Sequence, residues 1–67
     1  MNQSERKILK LLTSRESSAI ELARHLEKEA RQVERVCERL VNDGLVEPID
    51  GDPVTYRITD AGRSALE

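Results

Sequence analysis

The sequence is almost without aromatic residues: it has no Trp, no Phe and a single Tyr, Tyr56. Any core must therefore be aliphatic, and in a chain of 67 residues every apolar side chain has to be well placed. One cysteine, Cys37, excludes an intramolecular disulfide and fits a reducing compartment. The single histidine, His25, has no companion Cys or acidic cluster, so the sequence predicts no metal site. Asp50-Gly51-Asp52 lacks the other ligands of a calcium loop and reads as a turn. No nucleophile–base pair and no phosphate-cradling loop is present, so neither an enzyme nor a bound cofactor is expected. Ser17-Ser18 with His25 makes no dyad, because helix capping explains Ser18. No apolar run approaches the roughly 20 residues that span a bilayer. The N-terminus lacks a signal-peptide core, which points to a cytoplasmic protein with no membrane partner.

An excess of positive charge is also missing. Eleven Lys and Arg face 13 Asp and Glu, for a net charge of -2 and a pI near 5.4. Non-specific attraction to nucleic acid comes from neutralising phosphates, so this balance predicts that such attraction is weak. Local charge still decides specific contacts. Charged residues make up 36% and hydrophobic residues 37%, which is polar but compatible with a folded core. The sequence shows no repeat, low-complexity tract or linker, and residues 1–67 read as one domain.

The first periodic segment carries Ile8, Leu9, Leu11 and Leu12, with Ser4 as N-cap and Glu5 in the first turn. It predicts a helix over about Ser4 to Ser14, followed by a polar break through Ser18. Ser18-Ala19-Ile20-Glu21 has the spacing of a capping box, and Ile20, Leu22, Ala23 and Leu26 follow it. Between Leu26 and Val33 no Gly, Pro, Ser or Thr breaks the chain. A turn near Glu27 to Glu29 and one long helix from Ser18 to Asp43 both fit. The long helix has a seam in Leu26, Ala30, Val33, Cys37 and Leu40, spaced alternately by four and three.

The stretch Glu29 to Val46 is the most informative. Val33, Val36, Cys37, Leu40 and Val41 form one apolar stripe at helical spacing. Arg31, Gln32, Arg35 and Arg39 fall on one flank of it, and Glu34 and Glu38 on the other. Cys37, inside the stripe, reads as a packed thiol, since reactive thiols need exposure and nearby positive charge. Asp43-Gly44 then stops the helix, because Gly accepts the left-handed backbone found at many helix ends.

Leu45–Ile49 and Val54–Thr59 are β-prone and flank Asp50-Gly51, a hairpin signal. Val54, Tyr56 and Ile58 alternate with Thr55 and Arg57, giving one apolar face. Pro48 has no N–H to donate and places its strand at an edge. Since a lone hairpin is marginal in water, this one must pack on the helices, with Tyr56 seating it. Thr59-Asp60 caps a last short helix through Leu66, in which Gly62 either marks a close contact or simply weakens the helix.

This order, with Glu21-Leu22-Ala23, Leu40-Val41-Asn42-Asp43-Gly44-Leu45-Val46 and Tyr56-Arg57-Ile58-Thr59-Asp60-Ala61-Gly62, resembles the winged helix-turn-helix domain. The similarity is to bacterial and archaeal transcription regulators of the MarR-like, ArsR-like and PadR-like groups. It covers nearly the whole chain. It implies a mostly α fold with a small β-hairpin: a three-helix core, a two-stranded wing and a short C-terminal helix. It also implies sequence-specific binding of double-stranded DNA in transcription regulation, with the third helix in the major groove. Carried over by position, Arg31, Gln32 and Arg35 would face bases, Arg39 would lie near a phosphate, and Arg57 would be the wing's only cation. Arg and Gln suit this role, because they grip guanine and adenine edges through paired hydrogen bonds.

Two other readings stand beside that one. The arginine stripe also fits a solvated helix face, with Arg31–Glu34 and Arg35–Glu38 as exposed pairs. Asp50 and Asp52 at the wing tip repel phosphates, so a winged helix that binds another protein or a second copy of itself, as a homodimer, is the alternative.

Overall fold

The computed structural model describes all of residues 1–67. Helix α1 spans Gln3–Leu12 and is capped at Asn2, two residues earlier than the sequence suggests. Asn2 Oδ1 accepts from the Glu5 N–H at 2.8 Å, and Glu5 Oε1 accepts from the Asn2 N–H at 2.9 Å. This reciprocal box satisfies two backbone donors, whereas a Ser4 cap would satisfy one. Ser4 is free to accept from Lys28 instead. Ile8, Leu9 and Leu12 form the buried face of α1.

The polar break is not wholly irregular. Ser17–Ser18 is a two-residue strand, β1, and both serines are buried. Ser18 then caps α2, Ala19–Leu26, through the box anticipated with Glu21: the Ser18 N–H donates to Glu21 Oε1 at 2.9 Å, and the Glu21 N–H to Ser18 Oγ at 3.2 Å. The bond from the Ser18 N–H, with a lesser pull from Arg15 and Arg24, holds the Glu21 carboxyl below its ordinary range.

Of the two readings of the next boundary, the turn is correct. Helix α3 is a separate element, Ala30–Asn42. Glu27 turns the chain in the left-handed region at φ 55°, an uncommon conformation for a residue with a Cβ. That conformation costs on the order of 1–2 kcal/mol. The Lys28 N–H closes back on the Ala23 carbonyl at 3.0 Å and satisfies one of the orphaned helix-end acceptors. The larger compensation is tertiary. The break lets Leu22 and Ala23 of α2 meet Val33, Cys37 and Leu40 of α3 over one core. A continuous rod would bury neither face against the other, and each fully buried aliphatic side chain contributes about 1.5–3 kcal/mol.

Gly44, at φ 77°, ends α3 as expected, and the Leu45 N–H bonds to the Leu40 carbonyl at 2.9 Å. Strands β2, Val46–Ile49, and β3, Thr55–Ile58, pair antiparallel with Val46 opposite Ile58 and Glu47 opposite Arg57. The sheet has three strands in the order β1-β3-β2, so Pro48 lies on an edge strand. Tyr56 and Ile58 point into the core and Arg57 points out. Helix α4, Asp60–Ala65, begins at Thr59, whose Oγ1 accepts from the Gly62 N–H at 3.0 Å. This is the mostly α architecture with a small sheet that the motifs imply: three core helices, a wing and a short final helix.

Candidate nucleic-acid interface

The face of α3 opposite Val33, Cys37 and Leu40 is the exposed one, and it carries Arg31 and Arg35. Neither guanidinium forms an ion pair, so the helix-internal Arg31–Glu34 and Arg35–Glu38 pairs are not made. Gln32, Arg35 and Arg39 line a groove of about 510 Å³ that runs between α3, the start of α1 and the end of α2, and Glu38, placed by its spacing on the opposite flank, lines it as well. Its apolar floor comes from Ile8, Leu26, Val33 and Val36. Val36 is half-buried there, so the sequence's apolar stripe is not wholly core.

Arg39 approaches Glu5 of α1, with Nη2 at 4.0 Å from Oε2. Glu5 is mostly covered and held by the Asn2 N–H, but the Arg39 side chain is 60% exposed and the separation is long, so Arg39 remains open to a competing anion. Lys28 lies on the same groove and donates from Nζ to Ser4 Oγ at 2.9 Å. Sequence reasoning missed it, because its place depends on the fold of the α2–α3 turn. Glu29, the N-cap of α3, makes no side-chain capping bond, consistent with the missing Ser or Thr.

Arg57 is placed differently from the other candidates. It lies on the wing's outer face and its guanidinium is already engaged, by Glu47 at 2.7 Å and by Glu16 at 3.7 Å. The wing tip, Asp50 to Val54, is exposed and acidic. The structure thus groups Arg31, Gln32, Arg35 and Arg39 on α3, adds Lys28, and sets Arg57 apart on the sheet. On the other side of α2, Arg15 and Arg24 flank Glu21 with His25 in a smaller recess.

Cys37 plays no part in this surface. It is fully buried, and burial first, then the nearby Glu34 and Glu38 carboxylates, push its thiol up to about 12. A thiol so raised stays protonated through neutral pH, and protonated thiols are poor nucleophiles. Labelling of the native protein by a thiol reagent at neutral pH is therefore expected to be as slow as global unfolding. Rapid labelling without denaturant would contradict the burial.

Residues 2–62 match the family model described as "Sugar-specific transcriptional regulator TrmB". No curated protein matches the sequence significantly. Among solved structures, the transcriptional regulator BldR of Sulfolobus solfataricus aligns over 98% of this chain and 50% of its own, with a TM-score of 0.91 and 24% identity. Sco5413, a MarR family transcriptional regulator of Streptomyces coelicolor, aligns over 98% and 49%, with a TM-score of 0.92 and 26% identity. YusO of Bacillus subtilis gives 98%, 50%, 0.93 and 17%. The chain thus spans about half the length of these structures, and what it shares with them is the fold.

Proposed function

Because the chain belongs to the TrmB family of transcriptional regulators, a branch of the winged helix-turn-helix superfamily, we propose that it binds double-stranded DNA in a sequence-specific way to regulate transcription. In this reading α3 enters the major groove, Arg31, Gln32 and Arg35 reach base edges, and Arg39 lies at a phosphate. Lys28 adds a cation on the flank. The observation that carries the reading is the outer face of α3, where Arg31 and Arg35 are exposed and free of ion pairs. A guanidinium already satisfied by carboxylates would have to lose them before gripping a base, and these two do not. The net charge of -2 leaves little general attraction to a duplex, so discrimination rests on these few contacts.

Arg35→Ala is expected to weaken binding to a specific site by about 1–3 kcal/mol and to relax base choice at one position. Arg39→Ala should weaken all duplexes alike and lower the salt slope by about one unit. The contrast arises because base edges carry sequence and phosphates do not. Fluorescence anisotropy with selected and random duplexes at several salt concentrations measures both. No binding to any duplex at low salt would sink the reading.

One observation favours a second reading. The groove beside α3 has an apolar floor, as a surface for a protein partner or a second copy would. On that reading, sedimentation would show self-association, or a partner would be captured, and Val36→Asp would abolish either one.

A further inference from the structure

We propose that Arg57 is a positioning residue that holds the wing, and that the wing offers the duplex no free cation. This rests on the reading of the protein as a DNA binder. Strands β2 and β3 and the tip between them contain one cation, Arg57, and three acids, Glu47, Asp50 and Asp52. Glu47 lies directly opposite Arg57 in the β2–β3 register. On the other side of β3, Ser17 lies opposite Tyr56. Continuing that antiparallel register by one residue sets Glu16 opposite Arg57. Glu16, Arg57 and Glu47 thus form one row across the sheet, on its outer face.

The contacts follow the row. Arg57 Nε donates to Glu47 Oε1 at 2.8 Å, and Nη2 lies 2.7 Å from the same oxygen. Nη1 faces Glu16 Oε2 at 3.7 Å. All three nitrogens of the guanidinium are therefore directed at carboxylates. Both acids and the arginine are about half exposed, so the row adds little to global stability. What it does is geometric. Glu16 belongs to the connection between α1 and α2, whereas Glu47 and Arg57 belong to the wing. The planar guanidinium has donors on both sides and ties the two together, which a point charge such as Lys would do less well. A phosphate approaching this face would meet Glu16, Glu47 and the tip acids around one occupied cation. Contact with the wing would require exchanging two carboxylates for one phosphate, so the duplex is left to α3 and its flanks.

The test uses the whole chain, a random-sequence duplex and a salt series. Arg57→Gln should keep the wild-type salt slope. Glu16→Gln with Glu47→Gln should free the guanidinium, tighten binding at low salt and raise the slope by about one unit. Adding Arg57→Gln to that pair should remove the gain. A slope lowered by about one unit in Arg57→Gln alone would mean that Arg57 touches a phosphate, and would overturn the proposal. So would a gain that survives in the triple variant, since removal of negative charge alone would then explain it. NMR of the free protein tests the row without DNA. The Arg57 Nε–H proton should exchange with water more slowly in the wild type than in Glu47→Gln, and equal rates would refute the row. If the row is seen but no duplex binds the wild type, the DNA reading falls and the assignment of the wing falls with it.

Discussion

Leu40→Ala is expected to destabilise the domain by about 2–5 kcal/mol. Leu40 is fully buried and lies in the cluster that joins α1, α2, α3 and the sheet. With no Trp or Phe in the chain, Tyr56 is the one ring in that cluster, and it is held in strand β3, so little can collapse into the space. A domain of this size has a total stability of only about 3–10 kcal/mol, so the variant should be near or past the point of unfolding. Thermal unfolding followed by circular dichroism should show a Tm at least about 8 °C lower. A change of a degree or two would mean that the core is looser than its burial indicates. The functional consequence would be indirect but complete: α3 is seated by Val33, Cys37 and Leu40, and without them its arginines share no fixed geometry.

Gly62→Ala should also destabilise, against what local preference suggests. Within a helix, Ala is favoured over Gly by about 1 kcal/mol. Gly62, however, is buried where α4 crosses the end of the hairpin. A Cβ there would collide with the Leu45 carbonyl oxygen and come within 2.6 Å of Ile58 Cγ1. The isoleucine can rotate, but the carbonyl is backbone and accepts the Thr59 N–H at 3.1 Å. Relief therefore requires moving α4 away from the strand or breaking that bond. Overpacking of this kind costs about 1–3 kcal/mol, which outweighs the helix preference. The checks are a lower midpoint in urea and faster amide exchange at Thr59. A variant more stable than the wild type would show that α4 sits farther from Leu45.

Several features of the chain were legible because their causes lie within a few residues. Ser18 and Glu21 form a box through atoms three residues apart. Asp43-Gly44 stops α3 because the left-handed turn needs glycine locally. The two β-prone runs pair as a hairpin, though through the five residues Asp50 to Val54 and without positive φ at Gly51, and the alternation of Tyr56, Arg57 and Ile58 assigns its faces. Cys37 is buried because helical spacing puts it between Val33 and Leu40. Arg31, Gln32, Arg35 and Arg39 share the exposed side of α3 for the same periodic reason.

Other features depend on residues distant in sequence. Nothing between Leu26 and Val33 announces a helix end, and the seam through Ala30 and Cys37 suited one long helix equally well. The break at Glu27 exists because two short helices can close over a common core, and that gain appears only when all the layers are assembled. Strand β1 is too short to have a pattern of its own and is recruited by the free edge of β3. Gly62 was ambiguous until Leu45 was placed against it. The clearest case is the set of cations. The sequence by itself determined which arginines share the outward side of a helix, because 3.6 residues per turn fixes that spacing wherever the helix lies. Only the tertiary structure decided which of them are free. Arg31 and Arg35 form no ion pair, Arg39 approaches Glu5, and Arg57 is held by Glu47 and Glu16, because a charge is satisfied by whatever the fold brings near it.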